Sequence, residues 1–402
     1  MSIYLHALTN NLSLTLDTDE SYTLQTIYSE NEIKVEIIGN TVFGVRHGIE
    51  TLLQLIVPYE EKSECLATLS FIQITDKPLY RHRGLLLDTA RNYLSVKIIK
   101  KNIDGMAASK MNVLHWHITD SQSFPLVSPS LPNMTIYGAY NEKQIYSPQD
   151  VKDLVEYAKL RGVKILMEID GPSHAGFGWQ WGEEAGLGNL AVCINQQPWR
   201  SFCIQPPCGQ LNPVNPNVYR MLNYLYKDIS NVVPNADIFH MGGDEATFTL
   251  CKPIFEPNVV QWRSKQAPGS LGVDGDSEYI IQTWVTESEQ NLITNLLKLG
   301  YKLILSTKDR WYLDHGFWGS TTYYNWRRIY ENQMSNHPSI LGGEVTAAAA
   351  ERLWTNPNNK AGSAEARYYA HRTRLISRGI KAESEIPRWC IQNEGECSAY
   401  LL

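Results

Sequence analysis

No run of apolar residues in this 402-residue chain approaches the roughly 20 needed to cross a bilayer. No segment concentrates Lys and Arg either. The 36 basic and 42 acidic side chains leave a net charge of −6, which argues against nucleic acid or an anionic membrane surface as the main partner. Internal repeats and low-complexity tracts are missing. The opening residues, MSIYLHALTN, lack the basic start and apolar core of a secretory signal. Cysteine is sparse, at seven residues, so at least one stays unpaired if the others form bridges.

What is present is a globular composition, with 43% hydrophobic residues, in a chain long enough for one large barrel and a small appendage. Cys203 and Cys208 lie close together in SFCIQPPCGQ, as do Cys390 and Cys397 in RWCIQNEGEC. Asn11 and Asn133 head glycosylation sequons, although two sequons also arise by chance. These features point to an oxidising compartment; the alternative is a cytosolic chain with reduced thiols.

Residues 1–78 mix short strand patterns with one amphipathic helical stretch, GVRHGIETLLQLI, and read as a small α+β unit. The polar, proline-bearing TDKPLYRHRG follows as a boundary, so residues 79–402 form a second unit. There the pattern changes to short apolar runs, most of them separated by helical periodicity. They are GLLLDTA (84–90), NVLHWHI (112–118), VKILMEI (163–169), DIFHMGG (237–243), NVVQWR (258–263), YIIQTWV (279–285), YKLILST (301–307) and SILGGE (339–344). Eight apolar runs alternating with helices predict a parallel (β/α)8 barrel. Several runs end in ionisable residues: Asp88, Asp120, Asp170, the adjacent pair Asp244 and Glu245, and Glu344. Barrels of this class carry their sites at the C-terminal strand ends. The alternation breaks twice. Only ATFTLCKPIFEP, with two prolines, separates Glu245 from NVVQWR, and VTAAAAERLW follows SILGGE almost without a loop. The fourth crossover helix and the eighth loop are therefore expected to be shortened.

Three groups could carry chemistry. At a sheltered rim, burial and a neighbouring carboxylate raise a Glu pKa enough for general acid work, while an ionised Asp beside it orients an amide or stabilises positive charge. Asp244 and Glu245, after a glycine pair, suit that division. In HWHITD, His115 and His117 share one face of a strand. They form either a metal site or, as we favour, hydrogen-bonded core histidines. Asp120 at that strand end could hold His174 of GPSHAG, and through it Glu245. Trp262, Trp284 and Trp326 lie at or after strand ends, with Tyr312 and Asp314 in WYLD, where aromatic faces and polar anchors can hold a sugar ring. Arg91 could bind hydroxyls or form a rim ion pair.

RGLLLDTARNYL, MNVLHWHITD, GPSHAG and HMGGDEATF, in this order, resemble the β-N-acetylhexosaminidases of glycoside hydrolase family 20. The likeness runs from about residue 19 to the C-terminus, and LAVCINQQPWRSFCIQPPCGQLNPVN is most similar to the arthropod chitooligosaccharide-cleaving type. The resemblance implies a small α+β domain before a (β/α)8 barrel. It also implies exo-removal of terminal N-acetylglucosamine or N-acetylgalactosamine by substrate-assisted retaining hydrolysis, in which the substrate's own acetamido oxygen attacks. Glu245 would be the acid and base, and Asp244 would hold the acetamido N–H. Tyr312 would bind the acetamido oxygen, Trp262 and Trp284 would wall its pocket, and Arg91 and Asp314 would bind ring hydroxyls. Asp120 and His174 would support Glu245. A small carbohydrate is the partner implied, with no metal or other cofactor, a possible homodimer, and a secreted or lysosomal setting. A third disulfide, Cys193–Cys251, is implied, leaving Cys65 free.

The resemblance also implies that this chain is shortened. The helix-bearing segment after Asp244–Glu245 and a Trp-x-Glu after GGE are missing, as is the start of the small domain. A sugar pocket open beside Glu344 is then expected. The alternatives are a catalytically impaired relative that at most binds sugar and, on the histidine spacing alone, a metal-dependent barrel hydrolase.

Overall fold

The computed structural model describes residues 1–29, 32–59, 65–234, 236–243, 270–272, 279–284, 286–312, 325–344 and 349–382. The N-terminal part is a sheet of β1 (Ser2–Ala7), β2 (Tyr22–Ser29), β3 (Glu32–Gly39) and, after the short pair β4 (Val57–Pro58) and β5 (Leu66–Ala67), β6 (Ile72–Asp76). Their order is β1-β3-β2-β6. The helix Val42–Leu55 packs on this sheet, started by Thr41, whose side chain accepts from the Gly44 N–H. Its inward stripe holds Val45 and Leu52 against Tyr22, Leu24, Val35, Ile37 and Ile72.

The barrel contains β7 (His82–Asp88), β8 (Val113–Thr119), β9 (Lys164–Ile169), β12 (Phe239–His240), β13 (Ser270–Gly272), β14 (Ile280–Thr283), β15 (Lys302–Leu305) and β16 (Ile340–Glu344). The two-residue strands β10 (Ala191–Val192) and β11 (Gln210–Leu211) form a hairpin outside it. The barrel closes in the order β12-β13-β14-β15-β16-β7-β8-β9. Seven strands run the same way, but β13 is antiparallel to both neighbours. The closed eight-stranded barrel bears out the expected (β/α)8 class, and its one antiparallel member, β13, is not among the runs expected as strands. Seven residues separate β13 from β14. A parallel crossover needs a dozen or more residues, whereas an antiparallel return needs very few, so the connection length dictates the direction. The stretch expected as the fifth strand, 258–263, and the shortened fourth crossover both lie outside the described residues, as does most of the eighth loop. Among the described residues, no helix is long and apolar enough to cross a membrane.

Strand alternation sorts the barrel into two environments. Leu114, Trp116 and Ile118 of β8, with Ile165, Met167 and Ile169 of β9, face outward and join the core beneath the helices. Inside, Val113, Leu166, Ile238, Ile280, Ile304 and Leu341 fill the N-terminal end, with Leu16 packed against them. Above this apolar layer, the inward positions turn polar.

Candidate active site

The polar layer sits directly under the C-terminal rim. His115 and His117 of β8 point inward, as does Glu168 of β9. His115 Nε2 and His117 Nδ1 both donate to Glu168 Oε2, each across 2.8 Å. His240 Nδ1 lies 2.9 Å from Glu168 Oε1, and its Nε2 lies 2.8 Å from Gln282 Oε1. Gln282 Nε2 donates to Glu344 Oε2 across 2.5 Å, and His115 Nδ1 donates to the same oxygen across 2.9 Å. Glu168, His115, Glu344, Gln282 and His240 thus close a ring drawn from five strands, and His82 joins it through Glu344 Oε1 at 3.0 Å.

A bulge brings Glu344 into this ring. The pairing of β15 with β16 skips from Leu303–Ile340 to Ile304–Gly342, so Leu341 is the extra residue. Gly342 adopts φ +152°, and a Cβ there would fall onto the His82 carbonyl oxygen. Glu344 is consequently turned inward and is only 3% exposed. Its carboxylate is engaged on both oxygens; the loop after it, where an open sugar pocket was expected, lies outside the described residues.

His117 connects the ring to the rim. Its Nε2 donates to Asp120 Oδ2 across 2.9 Å. Arg91 Nη2 meets the same oxygen at 2.9 Å, while Asp120 Oδ1 accepts from the Ser121 N–H at 2.5 Å and from His174 Nδ1 at 3.2 Å. Four donors thus saturate this carboxylate. Arg91 also spans to Asp88 Oδ2 at 2.5 Å, and Asp88 Oδ1 accepts the Arg91 backbone N–H at 2.9 Å. His174 sits in the left-handed region, at φ +60°. Its turn packs under the loop bearing the Cys203–Cys208 disulfide: Ala175 N–H donates to the Gly209 carbonyl, and Gln122 Nε2 donates to that of Pro206.

Charges alternate along this chain of contacts. Burial works against a charged His115, yet Glu344 and Glu168 raise its pKa to about 10. Burial likewise opposes charge on His117, but Glu168 and the hydrogen bond to Asp120 hold its pKa well above the ordinary imidazole value. Burial would raise the carboxylates. His240, His117 and His115 instead hold Glu168 well below its usual range, and His174, Arg91 and His117 do the same for Asp120. Burial would also discharge Arg91, but Asp120 and Asp88 raise its pKa further.

Metal binding can be weighed on distance. Several of these groups, such as His115, Glu168 and His240, lie close enough together to be considered as ligands. Their N···O separations of 2.8–2.9 Å are hydrogen-bond lengths. Two ligands at about 2.0–2.1 Å from a tetrahedral zinc would sit roughly 3.3 Å apart. The geometry therefore favours hydrogen-bonded core histidines.

Of the residues singled out from sequence, the structure joins Arg91, Asp120 and His174 in one cluster. Trp284 follows β14, under the Lys308 ammonium at 5.5 Å from its ring centre, and Tyr312 ends the short helix Lys308–Trp311 after β15. Trp326 is buried in the outer core, stacked on Tyr368. Asp244, Glu245, Trp262, Asp314, Cys251, Cys390 and Cys397 lie outside the described residues. Cys193 is disulfide-bonded, and Cys65 is a free, exposed thiol. Sequence reading missed His82, Glu168, His240 and Gln282. The signal was there: each is a polar residue in or next to an apolar strand run.

The chain matches the family described as glycosyl hydrolase family 20, catalytic domain, over residues 80–268 and 254–355, and a β-acetyl hexosaminidase-like family over residues 2–55. It is 37% identical to the probable β-hexosaminidase fdl of Drosophila melanogaster, covering 96% of this chain and 68% of that protein. It is 39% identical to a chitooligosaccharidolytic β-N-acetylglucosaminidase of Bombyx mori, covering 95% and 75%. These alignments run over 454 and 458 positions, more than the 402 residues here, so the relatives carry segments without a counterpart. Among solved structures, the chitobiase of Flavobacterium johnsoniae superposes with a TM-score of 0.71 at 24% identity, covering 94% of this chain and 63% of that one. The β-N-acetylhexosaminidase of Streptomyces coelicolor gives 0.68 at 21% identity, covering 96% and 86%. Both likenesses are of fold; the sequence matches establish that the chain belongs to glycosyl hydrolase family 20.

Proposed function

We propose that this chain is an exo-β-N-acetylhexosaminidase that removes terminal N-acetylglucosamine or N-acetylgalactosamine from chitooligosaccharides or glycoconjugates. The observation that carries the reading is the Arg91–Asp120–His174 cluster, held at the barrel rim by buried partners. The names of the insect relatives support the substrate class. In this reading Glu245 protonates the leaving oxygen and later activates water, while Asp244 orients the acetamido group for attack on the anomeric carbon. Trp262 and Trp284 enclose that group, Tyr312 binds its oxygen, and Arg91 and Asp314 hold ring hydroxyls. The Cys203–Cys208 bridge supports an oxidising setting, secreted or lysosomal, and a homodimer belongs to the same proposal.

The test compares an aryl β-N-acetylglucosaminide with the matching aryl β-glucoside, which has no acetamido group. Hydrolysis of the first alone is expected. Equal turnover of both would contradict substrate assistance, and turnover of neither would mark a chain that at most binds sugar.

A further inference from the structure

We propose that Glu168 is a positioning residue for the sugar-cleaving site, an inference that rests on the function proposed above. It holds His117 behind Asp120, and it holds His240 at the strand end that leads through two glycines into Asp244 and Glu245.

The geometry singles out this carboxylate. Both its oxygens are occupied: Oε2 by His115 and His117, Oε1 by His240. Of these imidazoles, His117 meets Asp120 at the rim and His240 ends β12. His117 supplies the only one of the four donors to Asp120 that comes from inside the barrel; Arg91, Ser121 and His174 approach from the rim. His240 ends β12, four residues before Asp244. Glu168 therefore ties Asp120 at the rim, through His117 of β8, to the end of β12.

Packing alone does not account for such a group. Buried ions are costly to desolvate, and well-packed apolar residues of similar size are often as stable or more so. The lower layer of this same barrel is filled with apolar side chains. The ring of histidines and carboxylates lies above those apolar side chains, in the layer next to the rim. An apolar side chain at 168 would take from His117 one of its two carboxylate partners, and would leave Asp120 less firmly held.

The electrostatic consequence has a definite sign. The groups facing Glu168 and His117 are His115 of β8, His240 of β12, Asp170 at the end of β9, Asp88 of β7 and Asp120, with Glu344 behind His115 and Arg91 and His174 beyond Asp120. Neutralising Glu168 weakens the charge on His117, which raises the proton affinity of Asp120.

The experiment compares Glu168→Gln with His47→Gln, a second buried imidazole change, which touches Glu20 where the N-terminal sheet meets the barrel and no member of the polar ring. For Glu168→Gln we expect kcat on an aryl N-acetylglucosaminide to fall about 10–100-fold, with KM within about threefold and the acid limb of the pH profile moved to higher pH. His47→Gln is expected to keep both kcat and the limb. Equal kcat and equal pH profiles in the two variants would overturn the proposal, as would a loss confined to KM. If Glu168→Gln does not fold, His117→Gln cuts the link at its next member, and an unmoved acid limb there overturns the proposal. Absence of turnover in the unmodified protein would instead sink the proposed function. The inference is then decided by nitrogen NMR of His117, which should lose its second proton at lower pH in Glu168→Gln than in the unmodified protein. An unchanged His117 would overturn it.

Discussion

His47 donates its Nε2–H to Glu20 Oε1 across 2.8 Å, and both side chains are buried where the N-terminal sheet meets the barrel. The other oxygen of Glu20 accepts from Asn112, and Arg83 Nη2 completes the contact at 2.6 Å. Among the described residues His47 Nδ1 has no hydrogen-bond partner, which suits a neutral ring carrying its proton on Nε2.

This interface should be acid-sensitive. Burial lowers the His47 pKa to about 4, from an ordinary 6.5. Between those values the unfolded chain binds more protons than the folded one, so stability is lost as pH falls from 6.5 to 4, on the order of 3 kcal/mol. Burial opposes charge on Glu20, but Arg83 and His47 lower its pKa to about 2, so a further loss follows as pH falls below 4.5. Urea unfolding of His47→Gln, which keeps a donor to Glu20, should show a flatter dependence between pH 6.5 and 4. An unchanged slope would refute this.

Gly342→Ala should be severely destabilising, by about 3 kcal/mol or more. The added methyl meets the His82 carbonyl oxygen, and the backbone sits at φ +152°. A chemical denaturation midpoint within error of the parent would show that the bulge relaxes easily.

How far the fold was legible in the sequence follows from the range of the interactions. The helix Val42–Leu55 could be read because its apolar period and Thr41 cap are local. Asp88, Asp120 and Asp170 could be placed because parallel strands expose their ends at one rim. The ring through Glu168, Glu344 and His240 could not, because it exists only once barrel closure brings together β8, β9, β12, β14 and β16. The inward turn of Glu344 depends on a one-residue bulge, and periodicity cannot foresee a skip. The direction of β13 rests on a three-residue strand, too short to carry a pattern.

Arg91 spans two carboxylates, Asp88 and Asp120, that come from neighbouring strands. A lysine keeps the charge but not the planar fork. Arg91→Lys should raise KM for N-acetylglucosaminides about tenfold or more and change stability by less than about 1 kcal/mol. Steady-state kinetics beside thermal unfolding would check this, and an unaltered KM would remove Arg91 from the binding role.

The Cys203–Cys208 bridge closes a short loop whose neighbour Gly209 packs on the Ala175 backbone, next to His174. Replacing both cysteines with serine should cost about 2 kcal/mol, by the loop-closure relation. Activity should fall before global unfolding in a temperature series. Coincident losses would place the bridge in global stability alone.

The most direct measurement is hydrolysis by Glu245→Gln of two substrates with different leaving groups, chitobiose and an aryl N-acetylglucosaminide bearing an activated phenol. A sugar alcohol leaves only with a proton, whereas an activated phenolate leaves with little help. We expect the unmodified chain to cleave both and Glu245→Gln to lose chitobiose turnover almost entirely, while retaining measurable cleavage of the activated substrate. Chitobiose hydrolysis by Glu245→Gln at the parent rate would contradict the assignment of the proton donor, and with it the proposed reaction.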